Sequence, residues 1–327
     1  MVAAAVQLAP LAGPLLVSTD AWTYWEYGRI AAVEGGNPYK DPPREFPGNP
    51  AYPFAGAGWR DTTSVYGPAF TLASEPVALV AGRSEDAAAW IFKALAAAAI
   101  LAAAALAARL SRAKAFALAF VGWNPLLAVH MAGGGHNDAW VAALVLAALA
   151  LGAAGRRQLA GGAWVLAIGI KWVPAIFLVL RALEARTVRR RIGHWGFAAA
   201  ALALGGLATW RYGPDWLGAF GPLVRNAGKE TSYALPERLE QLAVPHAVAL
   251  GLVLAGLACA LAWLAREAVR GRARLGLAAC VLLLGTPWLV AWYVAWAVPL
   301  AAAEDDGAAQ LAALALCAYL LPAAIPI

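Results

Sequence analysis

The sequence predicts an all-α, polytopic membrane protein folded as a single domain over residues 1–327. Its 327 residues are 62% hydrophobic and only 13% charged, and the mean hydropathy is +0.64. A soluble domain is about half apolar and about a quarter charged. The second observation is where the charges sit: Arg109/Arg112/Lys114, Arg156/Arg157, residues 186–191 and residues 266–274 form basic islands between apolar runs. Such islands are cytoplasmic anchors, drawn to an anionic inner leaflet. The formal charge of +6 therefore points to a membrane surface and not to nucleic acid. Cys259, Cys280 and Cys317 lie inside apolar runs with no metal-ligand spacing, and read as small hydrophobes.

Taken in order, residues 2–17 form a minimal first span, about 25 Å at helical rise. No basic residue precedes Arg29, so the run lacks the charged region of a cleaved signal peptide. Residues 18–68 form an external loop carrying juxtamembrane helices. Residues 69–82 are apolar but short and contain Glu75-Pro76, which suits an interfacial or re-entrant segment. A full crossing there would move Asp138 to the cytoplasmic face. Residues 90–110 return inward, 115–131 go out, and 139–152 come back to Arg156-Arg157. Residues 159–183 have basic islands at both ends and Lys171-Trp172-Val173-Pro174 in the middle. Two cytoplasmic ends require an even number of crossings, so a re-entrant hairpin with Lys171 at its tip is expected. Residues 195–210 go out to a second external segment, 211–244, which carries Arg211, Asp215, Arg225, Lys229, Glu230, Glu237, Arg238 and Glu240. Residues 247–264 return, 275–285 go out, 288–299 turn back, and 311–327 form the last span. This is a multi-pass protein of the plasma (inner) membrane with its polar knots facing outward.

Two knots could carry chemistry. Asp20 follows the first apolar run and opens a helix over residues 21–33 rich in tryptophan and tyrosine, residues that favour the headgroup level. The plainer reading is that Thr19 or Asp20 is only a helix cap. The run Gly133-Gly134-Gly135-His136-Asn137-Asp138 interrupts apolar sequence on both sides. Asp138 is again a good cap, yet three polar groups after three glycines exceed what a cap requires. They could bind a phosphate or sugar hydroxyls, with His136 donating to an anionic leaving group. Lys171 at mid-membrane costs about 2.5–3.5 kcal/mol unless it faces water, an anion or the surface by snorkelling. Trp288, Trp292, Tyr293 and Trp296 read as an aromatic belt, as a stacking platform for sugar rings or as a groove for a lipid chain. A divalent metal would need Asp20, His136 and Asp138 to converge; no ligand spacing supports one, and no cofactor is expected.

These motifs, in this order, resemble the GT-C superfamily, a group of helical-bundle glycosyltransferases, and within it the polyprenol-phosphate-mannose-dependent mannosyltransferases. The nearest look is the α-1,6-mannosyltransferases of cell-envelope glycan assembly and the related family 87. The carrying residues are Asp20-x3-Tyr24-x2-Tyr27-Gly28-Arg29, Asn37-Pro38-Tyr39, Tyr66-Gly67-Pro68, Trp123-Asn124-Pro125, Gly135-His136-Asn137-Asp138, Lys171-Trp172-Val173-Pro174 and Trp292-Tyr293-x2-Trp296-x2-Pro299. The chain departs from the resemblance in length, since many members carry more spans. The resemblance implies a hexosyltransferase that moves mannose from a polyprenyl-phosphate donor to a glycan or glycolipid acceptor with inversion. It also implies membrane lipid as a partner. In that superfamily the acidic residue of the first external loop is the catalytic base, and Asp20 matches it. Substrate contacts are then expected from Tyr24, Tyr27, Arg29, Asn37, Tyr39, Tyr66, His136, Asn137, Asp138, Lys171, Arg211, Trp292 and Tyr293, with Lys171, His136 and Arg211 the candidates for the lipid phosphate. A transporter or flippase of lipid-linked intermediates is the alternative, and it should show internal pseudo-symmetry. No repeat is evident.

Overall fold

The computed structural model describes residues 1–188, 193–219, 221 and 230–324, and these form helices with no strand among them. The basic residues 189–191, together with Arg225 and Lys229 of the second external segment, lie outside the described residues. The first helix, α1 (Val2–Leu8), continues only through a 3-10 turn at Ala9–Ala12. The helix is therefore shorter than the span expected over residues 2–17. Pro10 and Pro14 bring no amide proton, so the helical ladder ends there. The fully buried Gln7 of α1 donates to the carbonyls of Val121, Gly122 and Asn124.

Helices α2 (Asp20–Ala32) and α3 (Pro68–Ala81) pack on each other and on α4 (Glu85–Leu110). The 14 residues of α3 include Pro76, and at about 21 Å the helix falls short of a bilayer core of about 30 Å. The long α4 is capped by Ser84, whose hydroxyl accepts from the Ala87 amide. Its buried face is mostly alanine, including Ala96, Ala97, Ala103, Ala104 and Ala107. Small side chains let neighbouring helices approach closely. Helices α5 (Lys114–Gly122) and α6 (Pro125–Ala128) follow, joined across a 52° bend. Proline disfavours helical geometry in the residue before it, and Asn124 re-caps the chain by accepting from the Leu127 amide.

Beyond a π-helical turn at Val129–Gly133 come α7 (Asp138–Ala153), α8 (Arg157–Ile170), α9 (Pro174–Thr187) and α10 (His194–Tyr212). Helix α8 lies between α7 and α10. Pro174 starts α9, and Lys171 stands in extended backbone at the end of α8. The expected run of 159–183 is thus two helices. Arg157, early in α8, and Arg181 and Ala185, late in α9, line one cavity, so the chain folds back at Lys171. The remaining helices are α11 (Leu235–Glu240), α12 (His246–Val269), α13 (Leu275–Gly285), α14 (Val294–Glu304) and α15 (Gly307–Leu320). Helix α14 is the hub. It packs against α4, α5, α7, α13 and α15, and its residues from Val294 to Ala303 are all buried.

Among the described residues two helices, α4 and α12, are long and apolar enough to cross a membrane, and α5 with α6 and the π-helical turn would make a third if taken as one bent span. The runs expected to cross at 139–152 and 275–285 fold as helices of 16 and 11 residues. Both are shorter than the roughly 20 residues of a straight span, because glycine and proline end them early.

Candidate functional site

The N-termini of α2 and α7 meet. Asp20 is the first residue of α2, yet neither it nor Thr19 caps the helix through its side chain. The backbone amide of Asp20 donates to Ser18 Oγ at 3.1 Å, which leaves the carboxylate free of capping duty. It stands 3.3 Å from His136 Nδ1 and accepts from the Tyr24 hydroxyl at 3.4 Å. Burial pushes the Asp20 carboxyl up, but the His136 ring, helped by Lys171, outweighs burial and holds it below the usual carboxylate range. Its side chain is 13% exposed while that of His136 is fully buried. Asp20 is the member of the pair that another molecule can reach.

The knot after the π-helical turn is held rigidly. Gly135 has a φ of +71°, and a Cβ there would press on Ala21, Phe92 and the Lys93 amide, each at 3.3 Å. Only glycine adopts that backbone without strain. Leu16 donates to the Gly133 carbonyl at 3.0 Å, and Lys93 reaches the carbonyls of Gly13 and Pro14. The segment before α2 is thus tied to both α4 and the knot.

Asp138 opens α7 without capping it. Its fully buried carboxylate accepts from Lys171 Nζ at 2.7 and 2.8 Å and from Trp296 Nε1 at 2.7 Å. Lys171 is fixed from the other side as well. The Gly67 amide donates to Ile170 O at 2.9 Å, and a Cβ on Gly67 would sit 2.3 Å from Gly169 O. The ammonium lies 5.1 Å from the Tyr293 ring centroid and 5.8 Å from that of Trp296, within cation–π range. It faces an anion and aromatic rings, not lipid.

Aromatic rings wall the cluster. Trp292 stacks on His136 at 4.1 Å and 13°, and Tyr293 stacks on Trp296 at 4.2 Å and 19°. Tyr24 packs edge-on against Tyr66 at 5.0 Å. Polar capacity is left over. Both ring nitrogens of His136 and of His130, and both side-chain amide atoms of Asn137, are buried without a hydrogen-bond partner among the described residues. The Asp20–His136 contact is close enough for charge attraction but is not aligned as a hydrogen bond. Buried polar atoms without partners are rare, and each calls for water or a ligand.

The structure brings Asp20, Tyr24, Tyr66, His136, Asn137, Asp138, Lys171, Trp292 and Tyr293 together. It does not bring in the other expected substrate contacts. Tyr27 donates to Thr62 O at 2.6 Å. Arg29 is buried and donates to Asn49, Glu34 and Gly82 O. Asn37 donates to Tyr212 O and Asp215, and Tyr39 donates to Tyr66 O and Thr71. Arg211 forks onto Glu75 and also donates to Ala31 O. Each of those five side chains is bonded instead to the first loop, α2, α3 or α10, or to a residue beside them.

Three residues outside the expected list join the site. Trp296 binds Asp138; His130 lies 5.9 Å from the His136 ring and 5.7 Å from Trp292; Lys93 braces the approach. Lys93 was visible as a lone charge in an apolar run, the same signal that marked Lys171. His130 gave none beyond being a polar residue between Val129 and Met131. Of the three groups a metal would need, Asp138 is bonded to Lys171 and Trp296, while Asp20 and His136 face each other. A cavity of about 350 Å³, lined by Gly152, Arg157, Trp164 and Arg181 among others, lies at the opposite end of α7 and α8 and includes none of these residues.

Residues 1–186 match the family described as alpha-(1->6)-mannopyranosyltransferase, N-terminal domain. No curated protein and no solved structure matches the chain. The match spans every site residue up to Lys171, while Trp292, Tyr293 and Trp296 come from beyond it.

Proposed function

The chain belongs to the alpha-(1->6)-mannopyranosyltransferase family, and on that premise we propose that it moves mannose from a polyprenyl-phosphate donor to a glycan or glycolipid acceptor, with inversion, at the outer face of the plasma membrane. The observation that carries the reading is the Asp20 carboxylate, uncapped, partly open and held 3.3 Å from buried His136. Asp20 takes the proton of the acceptor hydroxyl. The hydroxyl oxygen bonds to the anomeric carbon as the bond from that carbon to the lipid phosphate oxygen breaks, and the electron pair leaves with the phosphate. A single displacement inverts the configuration through an oxocarbenium-like transition state.

The departing phosphate gathers charge, which donors fixed in advance stabilise most effectively. Lys171 has three N–H donors, and Asp138 does not exhaust them. Asp138 and Trp296 hold the lysine head in place, and the unpartnered nitrogens of His136 and His130 can meet phosphate or sugar oxygens. Arg211 is left out of this role, because its Nε and Nη2 are tied to Glu75 and Ala31 O at the far end of α2. Trp292 and Tyr293 provide the rings on which a sugar stacks.

The membrane setting is supported by α12, which exposes Val248, Leu252, Leu254 and Trp263; an apolar flank of that size suits lipid. With basic islands at the cytoplasmic side, the starts of α2 and α7 face outward. The test is to incubate the purified protein with labelled polyprenyl-phosphate-mannose and a panel of glycan acceptors, and to determine the anomeric configuration of the product. Transfer from the lipid donor with opposite configuration is expected. Transfer from a nucleotide sugar in its place, or retention of configuration, overturns the reading.

A further inference from the structure

Away from this site, one group of three side chains among the described residues brings metal-ligating atoms together. Glu230, Glu240 and His246 place one donor atom each within 4.8 Å of one another. His246 Nδ1 stands 2.7 Å from Glu240 Oε1 and 3.6 Å from Glu230 Oε1. Two donors bound at about 2.1 Å to a tetrahedral ion lie about 3.4 Å apart, so the three atoms need only small shifts to share one.

The group is more than an acidic patch. The Glu230 side chain is 10% exposed, and its Oε2 is buried with no hydrogen-bond partner. Two carboxylates thus face each other, one of them nearly out of water. Among the described residues His246 is their only ion-pair partner. Even a protonated imidazole balances only one of the two carboxylate charges, whereas a dication balances both.

We propose that Glu230, Glu240 and His246 hold a divalent cation, and that it is Zn²⁺. Imidazole with two carboxylates in a compact set suits zinc, while calcium and magnesium prefer six or more oxygens. Glu240 and His246 leave room on the exposed side for water as the fourth ligand. The ion joins three points of the chain: residue 230, the end of α11 and the first residue of α12. Thr231, next to Glu230, donates to Pro287 O at 3.1 Å through its amide and to Leu289 O at 2.6 Å through its hydroxyl. Those carbonyls belong to the segment that leads into Trp292 and Tyr293. The ion therefore braces the wall of the transferase site from outside and has no contact with the reacting atoms.

The test uses the untagged full-length protein, Zn²⁺ alone as probe, and substitutions at the two more exposed ligands. Wild type should retain about one equivalent of Zn²⁺ after dialysis, and Glu240→Gln and His246→Ala should each weaken that binding about tenfold or more. Glu237→Gln, a neighbour outside the group, should bind as wild type does. Chelation should lower the melting temperature of wild type and leave that of His246→Ala unchanged. Failure of wild type to retain Zn²⁺, or retention that survives both ligand substitutions, overturns the proposal.

Discussion

Two polar clusters built from the same kinds of residue flank α2, and they differ in one physical respect. At the start of the helix, Asp20, His136, Asp138 and Lys171 meet beneath Trp292, Tyr293 and Trp296. At its far end, Glu75 and Arg211 meet among Asn37, Tyr39 and Tyr212. In the second cluster each of these five side chains makes a hydrogen bond to another part of the protein. In the first, His130, His136 and Asn137 keep buried polar atoms with no partner. A saturated network fixes a fold, whereas an unsaturated one is waiting for something. Between these two clusters, that difference is sharper than any difference in residue type.

The strongest way to break this comparison is Asp20→Asn. The side chain caps nothing, so the variant should still fold. Its melting temperature should drop modestly at neutral pH, where the depressed carboxyl contributes stability, and the drop should vanish in acid. Transfer should fall by about 10²–10⁴-fold, the usual worth of a general base. Near-normal transfer by a folded Asn variant would move the base elsewhere and leave the first cluster without a chemical role.

Lys171→Ala sharpens the comparison from the stability side. It strands the buried Asp138 carboxylate, and breaking a buried pair costs about 3–5 kcal/mol. Adding Asp138→Asn should recover much of that stability in denaturant melts without recovering transfer. A single variant as stable as wild type would mean that the pair is not buried as described.

The two carboxyls of α2 should respond to pH with opposite sign. Burial pushes Glu26 up from 4.5 to about 7, with Arg60 offsetting part of it. The folded state then binds the extra proton, so stability is full below 4.5 and declines as pH rises to about 7. Glu26→Gln removes the decline and should stabilise the protein by up to about 3 kcal/mol at pH 8, and by little at pH 4. Asp20 is depressed instead. Its contribution is present above the unfolded carboxyl value and is lost as pH falls through the folded one. Melting curves across pH for both variants read the two signs, and a pH-independent effect of Glu26→Gln would discount its burial.

The smallest effect belongs to the scaffold. Arg211→Met removes a partly exposed pair with Glu75 and the bond to Ala31 O, and should cost about 1–3 kcal/mol. Transfer per folded molecule should stay at the wild-type level. A large loss of transfer at unchanged stability would return Arg211 to the site.

Much was legible from local chemistry. An apolar run that exceeds a turn or two must be helical, and proline must interrupt it, so the helices around Trp123-Asn124-Pro125 and Lys171-Trp172-Val173-Pro174 could be read without coordinates. Asp20 and the knot at His136 stood out because a polar group beside such runs is expensive. In the first segment hydropathy alone misleads, because Pro10 and Pro14 end the helix that its apolar run would otherwise form. Arg29, Asn37, Tyr39 and Arg211 were legible as polar residues beside apolar runs and no more.

The sequence by itself determined which residues needed partners. Only the tertiary structure decided who those partners are, because the decisive contacts join residues far apart in the chain. Lys171 reaches Asp138 across 33 positions, Arg211 reaches Glu75 across 136, and Trp296 reaches Asp138 across 158. Composition sets the energetic demand that a charge be neutralised, but the packing of α14 and α8 against α7 chooses the neutralising group. That choice tied Arg211 to Glu75 and left His136 open.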